Sequence, residues 1–314
     1  MNLRQLLEPL FLKYHDYRWL SSDPLEFLHH YPDSEDQEIV GIYAALLAYG
    51  NVRQIRASIQ NLLRRIEGST FRRPRNWIQE LGGGGNSLVQ EEAAGVLTGF
   101  VHRFHGAEEM VLLGKVIFES RRRYGSIGQH FCSYLHSRDF TIETALGRFL
   151  SDWKDWSLRI DSAVASKLSY RHLLSSPQDG SCCKRWLMFL RWMGRKDDLD
   201  PGTWVPLGLS PRQLVIPLDT HTGRISQYLG LTERKSLNWK AALEITERLK
   251  TADPEDPVKY DFALARLGIL SLCQKKYRKE ICDQCDLLGA CRFAQAQRKS
   301  VPSKITGKKR GSAC

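Results

Sequence analysis

The chain has 314 residues, of which 42% are hydrophobic and 26% charged, as in ordinary globular proteins. No apolar run reaches the roughly 18 residues that a membrane-spanning helix needs, and residues 1–18 lack the cleavage site of a secretory signal, so we expect a cytoplasmic protein without membrane contact. A formal net charge of +11 predicts an anionic partner, and nucleic acid is the commonest such partner.

Helical periodicity dominates the chain and predicts an all-α protein. Residues 38–49 are apolar almost all round and predict a central buried helix, while residues 52–66 carry one apolar face and predict an amphipathic helix. The four glycines at 82–85 indicate a loop between helices. Strand-like alternation is confined to 203–207 and 213–218. Further helices are predicted over 91–105, 111–123, 142–161, 181–192, 220–229, 237–249 and 260–272.

Asp219 stands at the start of the helix predicted over 220–229, directly after an extended segment that contains Pro217. An aspartate at this place caps a helix, because its carboxylate accepts hydrogen bonds from the first free backbone N–H groups. A carboxylate held rigidly at a helix start can also stabilise the positive charge that builds at a sugar C1′ while a base departs. The residues alone favour the cap, and the catalytic role is the alternative.

Four cysteines, half of those in the chain, lie close together in the order C-x8-C-x2-C-x5-C. They are Cys273, Cys282, Cys285 and Cys291. Clustered thiolates select an iron–sulfur cluster or zinc, and reduced cysteines fit the cytoplasm. Structural zinc sites usually contain two close cysteine pairs, and only Cys282 and Cys285 form one here. The spacing therefore favours a [4Fe–4S] cluster, with zinc as the alternative.

This order of aspartate and cysteines resembles the helix-hairpin-helix superfamily of DNA glycosylases, above all endonuclease III and the adenine glycosylase MutY. Residues 218–225, followed by Leu-Gly-Leu at 229–231, are similar to the segment that carries the catalytic aspartate of that superfamily. The resemblance implies that Asp219 is catalytic and that the four cysteines hold a [4Fe–4S] cluster, although their first gap is two residues longer than in endonuclease III. It also implies a two-lobed helical fold whose cleft receives duplex DNA.

The resemblance further implies a hairpin turn whose backbone N–H groups bind a DNA phosphate. Residues 176–185 match this turn in one proline and one glycine, which makes Gly180 and Ser181 the expected phosphate contacts. Lys184 matches the nucleophilic lysine of those enzymes that also cleave the strand. An ordinary surface lysine is the alternative for this residue.

Other DNA contacts are expected from position in the same fold. Tyr49 and Asn51 follow the buried helix that lines the base pocket in the superfamily, so they are expected to contact an everted base or to fill its place. Lys275, Lys276 and Arg278 lie in the cysteine loop, where their charges are expected to face phosphates.

A longer resemblance covers nearly the whole chain, and it is to an uncharacterised bacterial family of the domain-of-unknown-function kind. That family looks like a remote branch of the glycosylase superfamily. The resemblance is carried by the strings at 38–41, 48–51, 189–193 and 195–198 and by the Asp219 segment.

We therefore predict a two-lobed helical core over 1–272, an iron–sulfur loop over 273–291 and a basic, disordered tail over 292–314. The predicted function is base-excision repair by a monomeric, nucleoid-associated glycosylase that removes a damaged or mispaired base from duplex DNA, with lyase activity if Lys184 attacks. The alternatives are a non-catalytic DNA-binding protein on the same scaffold and a zinc-stabilised RNA-binding protein.

Overall fold

The computed structural model describes residues 2–84, 86–136 and 138–300. Its regular secondary structure is almost entirely helical, which confirms the predicted all-α class. None of the helices in these ranges is long and apolar enough to cross a membrane. The helices are α1 (Leu3–Tyr14), α2 (Ser34–Leu46), α3 (Val52–Glu67), α4 (Pro74–Gly82), α5 (Ser87–Gly95), α6 (Ala107–Tyr124), α7 (Ile127–Cys132), α8 (Glu143–Ile160), α9 (Ser162–Ala165), α10 (Leu168–Leu173), α11 (Lys184–Gly194), α12 (Thr220–Tyr228), α13 (Trp239–Lys250), α14 (Asp261–Ile269), α15 (Lys279–Cys282) and α16 (Arg292–Ser300). Short 3₁₀ helices lie at Tyr17–Ser22, Pro24–His30, Pro177–Asp179, Val205–Leu207 and Pro211–Gln213.

Helix α2 lies at the centre of the molecule, as its apolar sequence predicts. Every residue from Glu38 to Leu46 is buried, and the helix packs against α4 and α11. Gly41 permits the close approach of α11, since a Cβ at this position would lie 3.0 Å from the ring of Phe189. Burial raises the pKa of Glu38, whose carboxylate accepts a hydrogen bond from Trp204 Nε1 at 2.6 Å.

The helix predicted over 91–105 is wrong in its second half, because α5 ends early. The chain then forms an antiparallel hairpin of two short strands, β1 (Val101–His102) and β2 (His105–Gly106). Gly99 and Arg103 have positive φ angles of 76° and 57°, which a continuous α-helix does not allow.

The strands suggested at 203–207 and 213–218 are wrong as well. Pro206 and Pro211 lack the N–H group that a strand donates to its neighbour. The chain forms 3₁₀ turns at these prolines and then runs extended towards the start of α12.

The first helix, α1, packs against α14 in the last quarter of the chain, and α14 packs against α12. Buried apolar residues form one cluster that extends from Leu6 to Leu287, so the cysteine loop contacts the same core as the helices. This packing brings the starts of α11, α12 and α14 together around the end of α2. A cavity forms where these four helix ends meet.

The disorder predicted for 292–314 is wrong for its first part, since Arg292–Ser300 form α16. Phe293 stacks on Tyr228 of α12, with ring centroids 4.5 Å apart and planes 9° apart. This aromatic contact provides the apolar burial that a disordered segment lacks. Residues 301–314 lie outside the described residues.

Candidate active site and thiolate loop

The cavity at the four helix ends has a volume of about 150 Å³. Its wall contains both predicted catalytic residues, Asp219 and Lys184, together with Tyr49. These three residues come from α12, α11 and the end of α2, and are far apart in the sequence. The fold therefore collects the predicted residues into one site.

Asp219 caps α12, so the structural interpretation of this residue is confirmed. Its Oδ1 atom accepts hydrogen bonds from the backbone N–H groups of His221, at 2.8 Å, and Thr222, at 2.7 Å. Both bonds go to one oxygen, and Oδ2 accepts none from the residues that the structure describes. The cap therefore fixes the carboxylate in the cavity wall and leaves one oxygen for a ligand.

Lys184 is the first residue of α11 and is half-buried. Its Nζ donates to the carbonyl oxygen of Ala48, just beyond the end of α2, at 3.3 Å. The carbonyl end of a helix favours a positive charge. Within the described ranges no carboxylate forms an ion pair with Lys184, so its ammonium group is available to an anionic ligand of the cavity.

A second carboxylate in the cavity wall, Asp261, was missed in the sequence. It is the buried first residue of α14 and accepts a hydrogen bond from Arg191 Nη1 at 2.5 Å. Burial raises the pKa of Asp261 to about 6, an effect that the Arg191 charge opposes and the Asp219 charge increases. Asp219 and Asp261 are thus electrostatically coupled. The sequence signal for Asp261 was its position near the start of a predicted helix, which it shares with Asp219.

Tyr49 is held firmly at the mouth of the cavity. His105 Nε2 lies 2.8 Å from the carbonyl oxygen of Ser169 and donates to it, so His105 Nδ1 is an acceptor for the Tyr49 hydroxyl, which also lies 3.1 Å from the carbonyl oxygen of His102. Burial lowers the pKa of His105 to about 4, which keeps this imidazole neutral at pH 7. Burial also raises the pKa of Tyr49 to about 12, so its hydroxyl keeps the proton that it donates.

Two exposed side chains at the tip of the β1–β2 hairpin, those of Arg103 and Phe104, cover Tyr49. The helix predicted over this segment gave no indication of this contact. Phe104 lies against Tyr49 and His172, with ring centroids 5.3 and 5.2 Å apart, respectively. We call Tyr49, Phe104 and His172 the aromatic lip. The guanidinium of Arg103 lies 5.8 Å from the Tyr49 ring and packs against Gly50, where a Cβ would lie 2.6 Å from Arg103 Nη1.

Arg185 was not identified from the sequence, because the catalytic role was assigned to the neighbouring Lys184. It is buried behind the aromatic lip, donates to the carbonyl oxygens of Leu46, at 3.0 Å, and His172, and lies 5.5 Å from the Tyr49 ring. Burial lowers its pKa to about 10, so it stays charged at pH 7. No carboxylate in the described part of the chain pairs with it.

The predicted hairpin lies between α10 and α11. Gly180 has a φ angle of 71°, and a Cβ at this position would have no atom within 4 Å. Glycine is therefore favoured by the backbone conformation and not by a lack of space for a side chain. Ser181 Oγ accepts a hydrogen bond from the Cys183 N–H at 3.1 Å. Asn51 is the exposed N-cap of α3 and accepts from the Arg53 N–H at 2.9 Å. The phosphate and base contacts expected of these residues remain predictions.

The four predicted metal ligands, Cys273, Cys282, Cys285 and Cys291, line a second, smaller cavity of about 40 Å³. All four are free thiols. A [4Fe–4S] cluster takes one thiolate for each iron, and four soft donors around one cavity fit such a group. Among the described residues, no three histidine, cysteine or acidic side chains are grouped so as to hold a single metal ion.

The electrostatics of this thiolate loop differ from one cysteine to the next. Burial raises the pKa of the Cys273, Cys285 and Cys291 thiols. The Arg224 guanidinium opposes this effect at Cys273, because its charge and a hydrogen bond favour the thiolate. A metal group would bind the thiolate form, which Arg224 favours at Cys273.

The cationic residues of the loop are exposed, as the predicted phosphate contact requires. Arg278 Nε forms an ion pair with Glu280 at 2.9 Å. Lys275 and Lys276 have no ion-pair partner within residues 2–84, 86–136 and 138–300. The loop thus presents uncompensated positive charge to solvent.

Residues 23–270 match the family described as "Protein of unknown function (DUF2400)". The chain belongs to this family. No curated protein and no solved structure matches it. The segment shared with the DUF2400 family contains Tyr49, Lys184, Asp219 and Asp261, and it ends just before Cys273.

Proposed function

We propose that this protein is a DNA glycosylase that removes a damaged or mispaired base from duplex DNA. The observation that carries the proposal is the meeting of Asp219 and Lys184 in one cavity, with the aspartate fixed by two backbone N–H groups. We further propose that the fold is of the two-lobed helix-hairpin-helix type, with α10 and α11 as the hairpin helices, and that the thiolate loop holds a [4Fe–4S] cluster, with zinc as the alternative.

The charges around the cavity support a nucleic-acid ligand. Lys184 and the exposed Arg103 lie beside the aromatic lip, and within the described chain neither forms an ion pair with a carboxylate. Cations of this kind bind phosphates and position the nucleic acid. The net charge of +11 also favours an anionic ligand such as nucleic acid.

The aromatic lip supports a base that has left the double helix. Enzymes that react at a base extrude its nucleotide and hold the base against aromatic side chains. Phe104 is 51% exposed although it is large and apolar, and its ring contacts Tyr49 in the cavity wall. A base that stacks on Phe104 would therefore lie at the entrance to the site that contains Asp219.

In the proposed reaction the bond between C1′ and the base nitrogen breaks, and its electron pair leaves with the base. The negative charge of Asp219 stabilises the positive charge that develops at C1′. A nucleophile then forms a new bond to C1′ and loses a proton to the surrounding water or to the carboxylate. Attack by water ends the reaction, whereas attack by the deprotonated Lys184 amine produces a Schiff base and permits strand cleavage.

A panel of duplexes, each with one damaged or mispaired base, tests this proposal. The wild-type protein should release one class of base, and borohydride should trap a covalent adduct if Lys184 attacks. Lys184→Ala should abolish this adduct, whereas Lys240→Ala, an exposed lysine of α13, should retain it. Base release without an adduct assigns the attack to water, and the absence of release from every duplex would contradict the proposal.

A non-catalytic DNA-binding protein is the second candidate. The observation that favours it is the hairpin segment, where little more than Pro177 and Gly180 matches the glycosylase pattern. Such a protein would bind duplex DNA tightly and release no base from any member of the panel.

A further inference from the structure

A larger cavity, of about 630 Å³, lies next to the aromatic lip and contains neither Asp219 nor Lys184. It is bounded by α8, by the chain from the end of α9 to the end of α10, and by the hairpin turn that follows. Cavities of about 300–1,000 Å³ hold small organic ligands. The proposed reaction leaves this space without a ligand.

The position of the cavity between two proposed DNA contacts indicates what it binds. His172 of the aromatic lip lines the cavity, and so do Ser175 and Asp179 of the hairpin turn. The lip is the proposed place of the extruded base, and the turn is expected to bind a phosphate. A DNA strand that contacts both elements would therefore pass the cavity that lies between them.

The cavity has an apolar wall that is open to solvent. Leu168 is 81% exposed and Leu158 is 50% exposed, and both line the cavity. The hydroxyl groups beside them are satisfied within the protein, because Ser157 Oγ donates to the carbonyl oxygen of Trp153 at 2.6 Å and accepts from the Tyr170 hydroxyl at 2.7 Å. The two leucines therefore provide an apolar surface on which a flat ring can pack.

His172 provides hydrogen-bonding groups at the same cavity. Neither of its ring nitrogens is bonded to another residue of the described ranges. Partial burial and the charge of Arg185 lower the pKa of His172 to about 4, so its imidazole is neutral at pH 7. A neutral imidazole has one donor nitrogen and one acceptor nitrogen. This combination suits the edge of a nucleobase, which carries donors and acceptors side by side.

Two cations lie at the cavity, and one of them is available to an anion. Lys154 Nζ forms an ion pair with Asp179 at 3.0 Å. Arg171 is exposed, and its guanidinium has no carboxylate or other hydrogen-bond partner in the part of the chain that the structure describes. A guanidinium binds a phosphate through two parallel hydrogen bonds. The cavity thus combines contacts for a ring, for the edge of a base and for a phosphate.

We propose that this cavity binds the nucleotide next to the extruded one in the same strand, with its base against Leu158 and Leu168 and its phosphate on Arg171. His172 belongs to both the lip and the cavity, so it can contact both nucleotides. Contacts to flanking nucleotides set the sequence context for several enzymes that act on an extruded base. The assignment to a neighbouring nucleotide rests on the proposed function, whereas nucleotide binding by the cavity does not.

Binding of free deoxyadenosine monophosphate to the full-length protein tests the cavity without reference to activity. Saturation-transfer NMR should show millimolar binding of the monophosphate and weaker binding of deoxyadenosine, which lacks the phosphate. Arg171→Ala should weaken binding of the monophosphate about tenfold, the effect of losing a hydrogen bond between charged groups. Leu168→Ala should weaken binding of both ligands about threefold, because it removes apolar contact with the base.

Two control variants make this test specific. Arg248→Ala in α13 and Leu12→Ala in α1 remove exposed side chains outside the cavity and should bind the monophosphate as the wild type does. Arg171 and Leu168 are exposed as well, so their variants should fold normally. Absence of monophosphate binding by the wild type would overturn the proposal, as would wild-type affinity in both Arg171→Ala and Leu168→Ala.

Duplexes that carry a fluorescent adenine analogue beside the lesion test the neighbouring position. The emission of such an analogue rises when the base leaves the stack, so binding of the wild type should raise it on one side of the lesion, and Leu168→Ala should reduce the rise. If the wild type releases no base from any duplex, the proposed function fails, and the monophosphate experiment still decides whether the cavity binds a nucleotide. Base release with unchanged emission on both sides would overturn the assignment to the neighbouring nucleotide.

Discussion

The main cavity and the thiolate loop are built in different ways, and the difference predicts how each responds to change. The cavity lies between helices whose apolar faces belong to the continuous core, so these helices position Asp219 and Lys184 without help from a ligand. The thiolate loop contains one short helix, α15, and few buried residues besides Leu287. We therefore expect its order to depend largely on bonds from its four sulfur atoms to the proposed metal group, as in small metal-organised segments.

Replacement of Cys285 by serine should have the largest effect, and it should be confined to the loop. The anaerobically purified wild-type protein should be brown and contain about four irons per chain, and Cys285→Ser should contain none. Hydrogen exchange should accelerate in the loop and α16, while the helices around the cavity remain protected.

Cys132→Ser is the matched control, since Cys132 is half-buried in α7 outside the loop. Its iron content should equal that of the wild type. Stoichiometric zinc without iron in the wild-type protein would contradict the cluster, and full iron in Cys285→Ser would exclude Cys285 as a ligand.

Replacement of Phe104 by alanine should affect the cavity and leave the metal unchanged. A base that stacks on an aromatic ring gains about 1–3 kcal/mol, so the affinity for a lesion-bearing duplex should fall about tenfold or more. Fluorescence anisotropy measures the affinity, and Leu12→Ala, which removes an exposed apolar side chain from α1, is the control. Unchanged affinity in Phe104→Ala would show that the aromatic lip does not hold a base.

The pKa of Asp261 predicts a pH dependence of stability that originates in the cavity. This pKa is raised to about 6, so the stability contributed by Asp261 is fully present below about pH 4 and is lost as the pH rises through 6. The difference between wild type and Asp261→Asn should therefore change by on the order of 2 kcal/mol between pH 4 and pH 7, in favour of the variant at the higher pH.

Denaturant unfolding at several pH values measures this difference in the free energy of unfolding. The exposed Asp198 provides the control, and Asp198→Asn should show no such trend. A pH-independent difference for Asp261→Asn would show that its carboxylate titrates in the folded protein as it does in the unfolded chain.

Removal of the loop charges should have the smallest effect. In Lys275→Ala/Lys276→Ala the affinity for DNA should decrease equally for all duplexes, and the slope of log affinity against log salt should decrease by about 2, because each phosphate contact contributes about 0.9. Titrations at several salt concentrations measure the slope, with Lys240→Ala as the control. An unchanged slope would indicate that the loop does not contact DNA phosphates.

Local features of this fold were predictable from the sequence, and contacts between distant segments were not. The apolar run that forms α2 and the aspartate that caps α12 are determined by neighbouring residues, and both predictions are confirmed. The hairpin that carries Phe104 was missed because its apolar and polar residues also fit a helical period, and two positive φ angles decided against it.

The remaining omissions concern tertiary contacts. Arg185 and Asp261 are notable only because of tertiary contacts. Arg185 donates to the end of α2, and Asp261 accepts a hydrogen bond from Arg191. The proposal that Asp219 and Lys184 form one site came from a resemblance, and no spacing between them would have indicated that they share a cavity. A single sequence reports local preferences well and long-range contacts poorly.

Asp219→Asn tests the central claim most directly, with the free energy of unfolding and single-turnover base release measured on the same preparation. Asparagine caps a helix about as well as aspartate, so the free energy of unfolding should change by less than about 0.5 kcal/mol. Base release should fall about 100-fold or more, because the amide lacks the negative charge that stabilises the positive C1′. A variant that releases the base at the wild-type rate would show that Asp219 is only a helix cap and would contradict the proposed mechanism.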